Sequence, residues 1–147
     1  MILDHEPAKV VRAWLIAQGA GVLPSVTGKT QWPIFTRQAI AEDRDKSIAI
    51  GGYPGVMDGK LMAGTVIQHP SLQFRIRALT ADEAWTKGAE VLGIIDATKQ
   101  QTVTVDASTY LIHAFKRTSD LFYLGVDETR RRENYVFNAT VTITPYP

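Results

Sequence analysis

The sequence predicts an α+β domain: a twisted, mainly antiparallel sheet with two helices packed on one face. Three observations lead there. Apolar residues recur at helical spacing in only two places, near the N-terminus and after residue 80. Elsewhere they alternate, or run in short apolar stretches bounded by turn residues. The strand-like stretches also follow one another locally, without the regular strand–helix–strand alternation of a parallel sheet. At 147 residues the chain has the size of one domain, and 1–147 reads as a single α+β domain.

The first helix is expected over about 5–18. Asp4 can cap it, Glu6 and Pro7 suit its opening turn, and Val10, Val11, Trp14 and Leu15 form an apolar stripe. Gly19 and Gly21 end it. A connector, VLPSVTGKTQWP, leads to a strand at about 34–40, and the sign-balanced cluster EDRDK reads as a turn. SIAIGGY, 47–53, is a second strand, followed by PGVMDGKLMAG, 54–64. Its glycines and proline predict a loop or a long flexible hairpin, with Val56, Met57, Leu61 and Met62 as unusual apolar residues in it. The partner strand starts near Gly64 or Thr65, with a break expected at Pro70.

The change of period is sharpest in SLQFRIRALTADEAW, 71–85. Leu72, Phe74, Ile76 and Ala78 alternate with Gln73, Arg75, Arg77 and Leu79, placing both arginines on an outward face. Thr80-Ala81-Asp82-Glu83 then has the form of a capping box. The helix it starts runs to about 97, with Ala84, Gly88, Val91, Leu92 and Ile95 on one face and Gly88 allowing close packing. QTVTV, 101–105, is a short strand. In TYLIHAFKR, 109–117, Tyr110, Ile112 and Ala114 share one face, and Leu111, His113 and Phe115 the other. LFYLGVDETRRRE ends in a charged turn. ENYVFNATVTITP, 133–145, alternates cleanly, with Tyr135, Phe137, Ala139, Val141 and Ile143 inward.

Composition bounds the chemistry. The formal net charge is +1, which makes no case for nucleic acid or an anionic membrane as partner. Without cysteine there is no disulfide or thiolate metal site, and no dependence on an oxidising compartment. MILDHEPAKVV carries acids before any apolar run and does not read as a signal peptide, so the default location is cytoplasmic. His5, His69 and His113 lack metal-ligand spacing, and His113 reads as a satisfied strand residue. Gly28-Lys29-Thr30 lacks the earlier glycine of a phosphate loop, since position 23 is Leu. Asp82 and Glu83 suit a helix start, and Asn138-Ala139-Thr140 is a sequon inside a strand. No catalytic, cofactor or metal residues are assigned.

Arg130-Arg131-Arg132, flanked by Asp127, Glu128 and Glu133, is either a solvated turn or a set of bidentate donors for a partner's carboxylates. Arg75 and Arg77 pose the same choice. The candidate interface is therefore Arg75, Arg77, Arg130, Arg131 and Arg132 with Val56, Met57, Leu61 and Met62.

Taken in order, several stretches resemble one family. A first helix leads to Pro33-Ile34-Phe35. His69-Pro70-Ser71-Leu72-Gln73-Phe74-Arg75-Ile76-Arg77-Ala78 then precedes an alanine-rich helix. Leu124-Gly125-Val126-Asp127-Glu128 precedes Arg131, Tyr135, Asn138 and a Val/Thr strand. Over roughly 5–145 this resembles the tail terminator proteins of long-tailed bacteriophages, also described as minor capsid or tail-completion proteins. Tyr123 stands where that family commonly has a proline. The resemblance implies a six-membered homo-oligomeric ring on the head-proximal end of the tail tube, which stops tube polymerisation and meets the head connector. It implies a non-enzymatic virion protein whose partners are itself, the tube protein and connector proteins. Two other readings stand beside it: a connector or stopper of the same junction, and a small-molecule-binding domain with Tyr110, His113 and Tyr135 lining a pocket.

Overall fold

The computed structural model describes residues 4–26, 28, 30–36, 44–60, 66–127 and 131–146, with the backbone alone at 53–60, 66 and 68. Its elements are α1 (Pro7–Ala17), β1 (Ile34–Thr36), β2 (Ser47–Lys60), β3 (Val66–Ala78), α2 (Ala81–Asp96), β4 (Gln101–Val105), β5 (Ser108–Arg117), β6 (Phe122–Val126) and β7 (Glu133–Pro145). The strands form one seven-stranded sheet in the order β1-β2-β3-β7-β5-β4, with β6 also beside β7. Among these strands only β1 and β2 run parallel, the other strand pairings being antiparallel; Val22 adds an isolated parallel bridge to Pro33. The fold is the expected α+β class, made mixed by one three-residue strand.

Proline is tolerated at the start of α1 because its missing N–H has no helical acceptor there. The stripe Val10, Val11, Trp14 and Leu15 is buried. Asp4 does not cap this helix. Glu6 stands at the cap position but its side chain does not cap the helix, and Asp4 instead accepts from Ser108 Oγ at 3.4 Å. In α2 the capping signal holds: Thr80 Oγ1 accepts from the Glu83 amide at 3.2 Å. The predicted face is the buried one, Ala84, Gly88, Val91, Leu92 and Ile95 with Lys87 beside them.

Three expectations need correction. Of the two readings of 54–64, the loop is overturned and the long hairpin agrees with the pairing: the stretch is strand as far as Lys60, antiparallel to β3, with register shifts between Tyr53 and Val56 and between Met57 and Lys60. Those irregularities accommodate Pro54 and the glycines within a continuing strand; residues 61–65 lie outside the described residues. Pro70 does not break β3. The ladder to β2 passes from His69 to Ser71, and that to β7 from Gln68 to Ser71, so the missing N–H falls at a skipped position on both sides. In β5 a bulge between Ile112 and Ala114 resets the alternation. Tyr110, Ile112 and Phe115 are buried, whereas His113 and Ala114 are exposed. His113 is still satisfied, through Thr144 Oγ1 at 2.8 Å.

The core lies between the helices and the inner sheet face. Phe74 of β3 stacks on Phe137 of β7 with centroids 4.7 Å apart, and Trp14 of α1 meets Phe115 at 5.3 Å. Fully burying each large apolar side chain contributes about 1.5–3 kcal/mol. Helix α1 touches β4 near one end of the sheet and β1 and β2 at the other, so the sheet curls around it; α2 crosses β3, β5 and β7. The opposite face and the sheet edges are what remain for a partner.

Candidate assembly surface

The arginines divide into two groups. Arg75 is exposed, as its alternation in β3 predicts. Arg77, two residues on, is 6% exposed, and its guanidinium donates to the Arg44 carbonyl. Arg132 is fully buried, its Nε donating to Asp45 Oδ1 at 3.1 Å. Arg44 in turn donates to the carbonyls of Pro24 at 2.6 Å and Val26 at 3.0 Å. Arg77 and Arg132 therefore tie the 24–26 segment, the start of β2 and the β6–β7 turn together. This corrects the expectation that they face outward for a partner. Arg131 is exposed, in left-handed backbone at φ 54°, with its amide bonded to the Asp127 carbonyl at 2.6 Å. Arg130, Leu61 and Met62 lie outside the described residues, and Val56 and Met57 are placed on β2 by their backbone alone.

Arg75 opens onto a recess of about 300 Å³, lined also by Arg77, Leu124, Val126, Asp127 and Asn134. The recess leads to β6, whose apolar residues are largely exposed. Phe122, Tyr123, Leu124 and Val126 are 45%, 50%, 48% and 44% exposed. Among the described residues this strand pairs with β7 alone, over Phe122–Val126 against Glu133–Val136, with a shift between Tyr123 and Gly125. Gly125 takes φ 137°, a conformation that favours glycine, and this permits the kink. Just before β6, Leu121 is buried against Gly88 of α2.

An aromatic series continues the strip onto α2. Tyr123 meets Tyr135 edge-on at 5.4 Å, and Tyr135 meets Trp85 at 5.6 Å; Trp85 is 51% exposed. The Tyr123 hydroxyl donates to Glu133 Oε2. That bond holds the Tyr123 pKa above the usual phenol value, because ionisation would set two negative oxygens together.

Two other polar clusters lie apart from this surface. His5 bridges the buried Tyr110 hydroxyl, at 2.6 Å from Nδ1, and Asp106 Oδ2, at 3.1 Å from Nε2. Lys9 Nζ reaches the same carboxylate at 3.4 Å. The His5 hydrogen bond first, and Lys9 second, hold Asp106 below the ordinary carboxylate range. This cluster pins the start of α1 to the β4–β5 turn. Lys87 of α2 and Lys46, just before β2, lie over the Trp32 ring at 5.5 and 5.7 Å, with Lys87 bonded to Glu90 at 2.7 Å.

The residues suggested for a small-molecule pocket do not converge. Tyr110 is buried opposite Pro145 at one end of β7, His113 is exposed, and Tyr135 lies near the other end. Among the described residues, no group of three or more His, Cys, Asp and Glu side chains could hold a metal. No helix among them is long and apolar enough to cross a membrane. No protein-family model and no curated protein matches the chain.

The resemblance points to 118–128 as a loop where partner contacts lie, but the residues chosen from the sequence are the arginines, and Phe122, Tyr123, Leu124 and Val126 are not among them; the stretch is strand β6 over Phe122–Val126. The signal was present: four apolar residues within five positions show no alternation and run into Gly125 and a charged turn. A strand buried on both faces gives the same pattern, and only the topology reveals that β6 pairs along one side.

Proposed function

We propose that this chain is a structural virion protein that caps the head-proximal end of a phage tail tube as a homo-oligomeric ring, stops tube polymerisation and joins the tube to the head connector. The observation that carries the reading is the exposed apolar strand β6 beside the Arg75 recess. An exposed apolar strip of this kind marks an interaction surface, and a ring needs chemically distinct surfaces that meet head to tail. The ordered resemblance to tail terminators, and an α+β fold of the kind it implies, support the same reading. Arg75 is the one arginine of the β3 pair exposed to meet acids on a neighbour or on the tube end.

The test is the length distribution of tubes assembled from tail-tube subunits with and without the protein. The wild-type chain should bind tube ends and shorten the distribution. Arg75→Glu should fold normally and lose that effect, because reversing a charge in a matched interface introduces repulsion. A wild-type chain that leaves tube length unchanged and does not bind tube ends overturns the terminator reading. Binding to connector proteins alone would indicate the stopper.

A further inference from the structure

The two faces of the domain carry opposite charge, and each has an exposed apolar group beside it. On the outer face, away from the helices, Arg75 of β3 lies opposite Val136 of β7, and Val136 lies opposite Phe122 of β6. Residues directly opposite on paired strands share a face, so Phe122 stands on the same side as Arg75. Leu124 joins them by lining the Arg75 recess. The next outward positions, Gln73, Asn138, Thr140 and Lys116, add one cation and no acid.

The helix side differs. Tyr135 lies opposite the core residue Ile76, and Trp85 of α2 meets its ring there, half exposed. Helix α2 carries Asp82, Glu83, Glu90 and Asp96 against Lys87 alone. Three of these acids are engaged, Glu83 with Lys46 at 3.6 Å, Glu90 with Lys87 at 2.7 Å and Asp96 with Arg117 at 3.6 Å. Asp82 is exposed and has no partner among the described residues; the same holds for Arg75. The helix start accounts for an acid at Asp82. It does not account for the exposed Trp85, three residues on and therefore beside Asp82 on the helix surface.

We infer that the outer patch of one copy, Arg75 with Phe122 and Leu124, docks on the helix patch of the next copy, Asp82 with Trp85. This rests on the ring reading, and it names the two surfaces that such a ring joins. The chemistry is matched. A guanidinium bonds a carboxylate through two N–H groups and stacks on an indole face, and Phe122 and Leu124 offer Trp85 apolar cover. Tryptophan and arginine are also the residues that most often dominate binding energy at an interface. The geometry favours repetition. The two patches face opposite ways across the sheet, so one neighbour cannot cover both, and the contact does not close as a twofold dimer. Each added copy leaves one patch of each kind open until the last copy meets the first as a ring.

Sedimentation of the purified chain tests this. The wild type should form an oligomer larger than a dimer. Arg75→Glu and Asp82→Arg should each weaken association at least tenfold, because each sets like charges opposite one another. Both positions are exposed, so both variants should melt within about 4 °C of the wild type. Trp85→Ala should also weaken association at least tenfold. Mixed in equal amounts, the two charge variants should associate again, because every contact between unlike copies then joins opposite charges. Wild-type association by either charge variant alone, no recovery on mixing, or a wild-type oligomer that stops at a dimer overturns the face-to-face pairing of these patches. A wild-type chain that remains monomeric also overturns it; if that monomer still limits tube length, the terminator reading survives without it.

Discussion

Replacing Gly88 by alanine tests how α2 positions the strand that carries the assembly surface. A Cβ at this position would lie 2.6 Å from Leu121 Cδ2 and 2.9 Å from Cδ1. Leu121 is 8% exposed and immediately precedes β6, so its side chain cannot swing away without disturbing the start of that strand. Two effects oppose one another. Alanine in a helix interior is favoured over glycine by about 0.5–1 kcal/mol. Overpacking a filled site costs about 1–3 kcal/mol. The clash wins, and Gly88→Ala should destabilise by about 0.5–2 kcal/mol. In a chain of this length each kcal/mol lowers the melting temperature by roughly 2–4 °C. A double-mutant cycle isolates the cause. Leu121→Ala alone should lose about 2–5 kcal/mol, but in the Gly88→Ala background it also relieves the clash, so its loss shrinks by about 0.5–3 kcal/mol. Urea unfolding of the four proteins measures the cycle. Additivity within about 0.3 kcal/mol, or a stabilising Gly88→Ala, would refute the packing argument.

Leu92 is 6% exposed on the same helix, and Leu92→Ala should cost about 2–5 kcal/mol by urea unfolding; a loss below about 0.5 kcal/mol would place it on the surface. Asp45→Ala removes a carboxylate from the buried Arg132 and should destabilise by about 1–3 kcal/mol, the lower part of the range for buried ion pairs because Asp45 is half exposed; loss of protection at the β6–β7 turn in hydrogen exchange should accompany it. The Asp106 carboxyl has a depressed pKa in the folded chain, so its contribution is present above the unfolded value near 3.8 and is lost as pH falls through the lower, folded value. Carbon-detected titration of Asp106 should show that midpoint below the ordinary range, and His5→Ala should move it back up.

The two helices and most strand positions were legible because each rests on local chemistry. Thr80 caps α2 where the capping box predicts, and β7 spans the residues that alternate, Glu133–Pro145. Failures came where tertiary structure reset a local pattern. The bulge in β5 puts Phe115 inward in place of Ala114, which no period-two reading anticipates. Pro70 was readable as a break, yet β3 carries it at skipped ladder positions. The candidate site was half legible. Arg75 is outward as its alternation implies, but Arg77 has the same parity and is buried, bonded to the carbonyl of Arg44, which is distant in sequence. Arg132 reads in sequence as part of a solvated basic turn, whereas the fold sets it beside Asp45, just before β2 at the same end of the sheet. Exposure of β6 depends on strand order, and strand order is not a local property.

The central claim is that the protein seats as a ring on one end of the tail tube. Negative-stain electron microscopy of preassembled tubes mixed with the purified protein tests this most directly. The account predicts a ring-shaped cap on a single end of each tube, with no density added along the wall and no cap when the Arg75→Glu variant is used. Tubes whose ends stay bare in the presence of excess wild-type protein, or tubes decorated along their length, would contradict it.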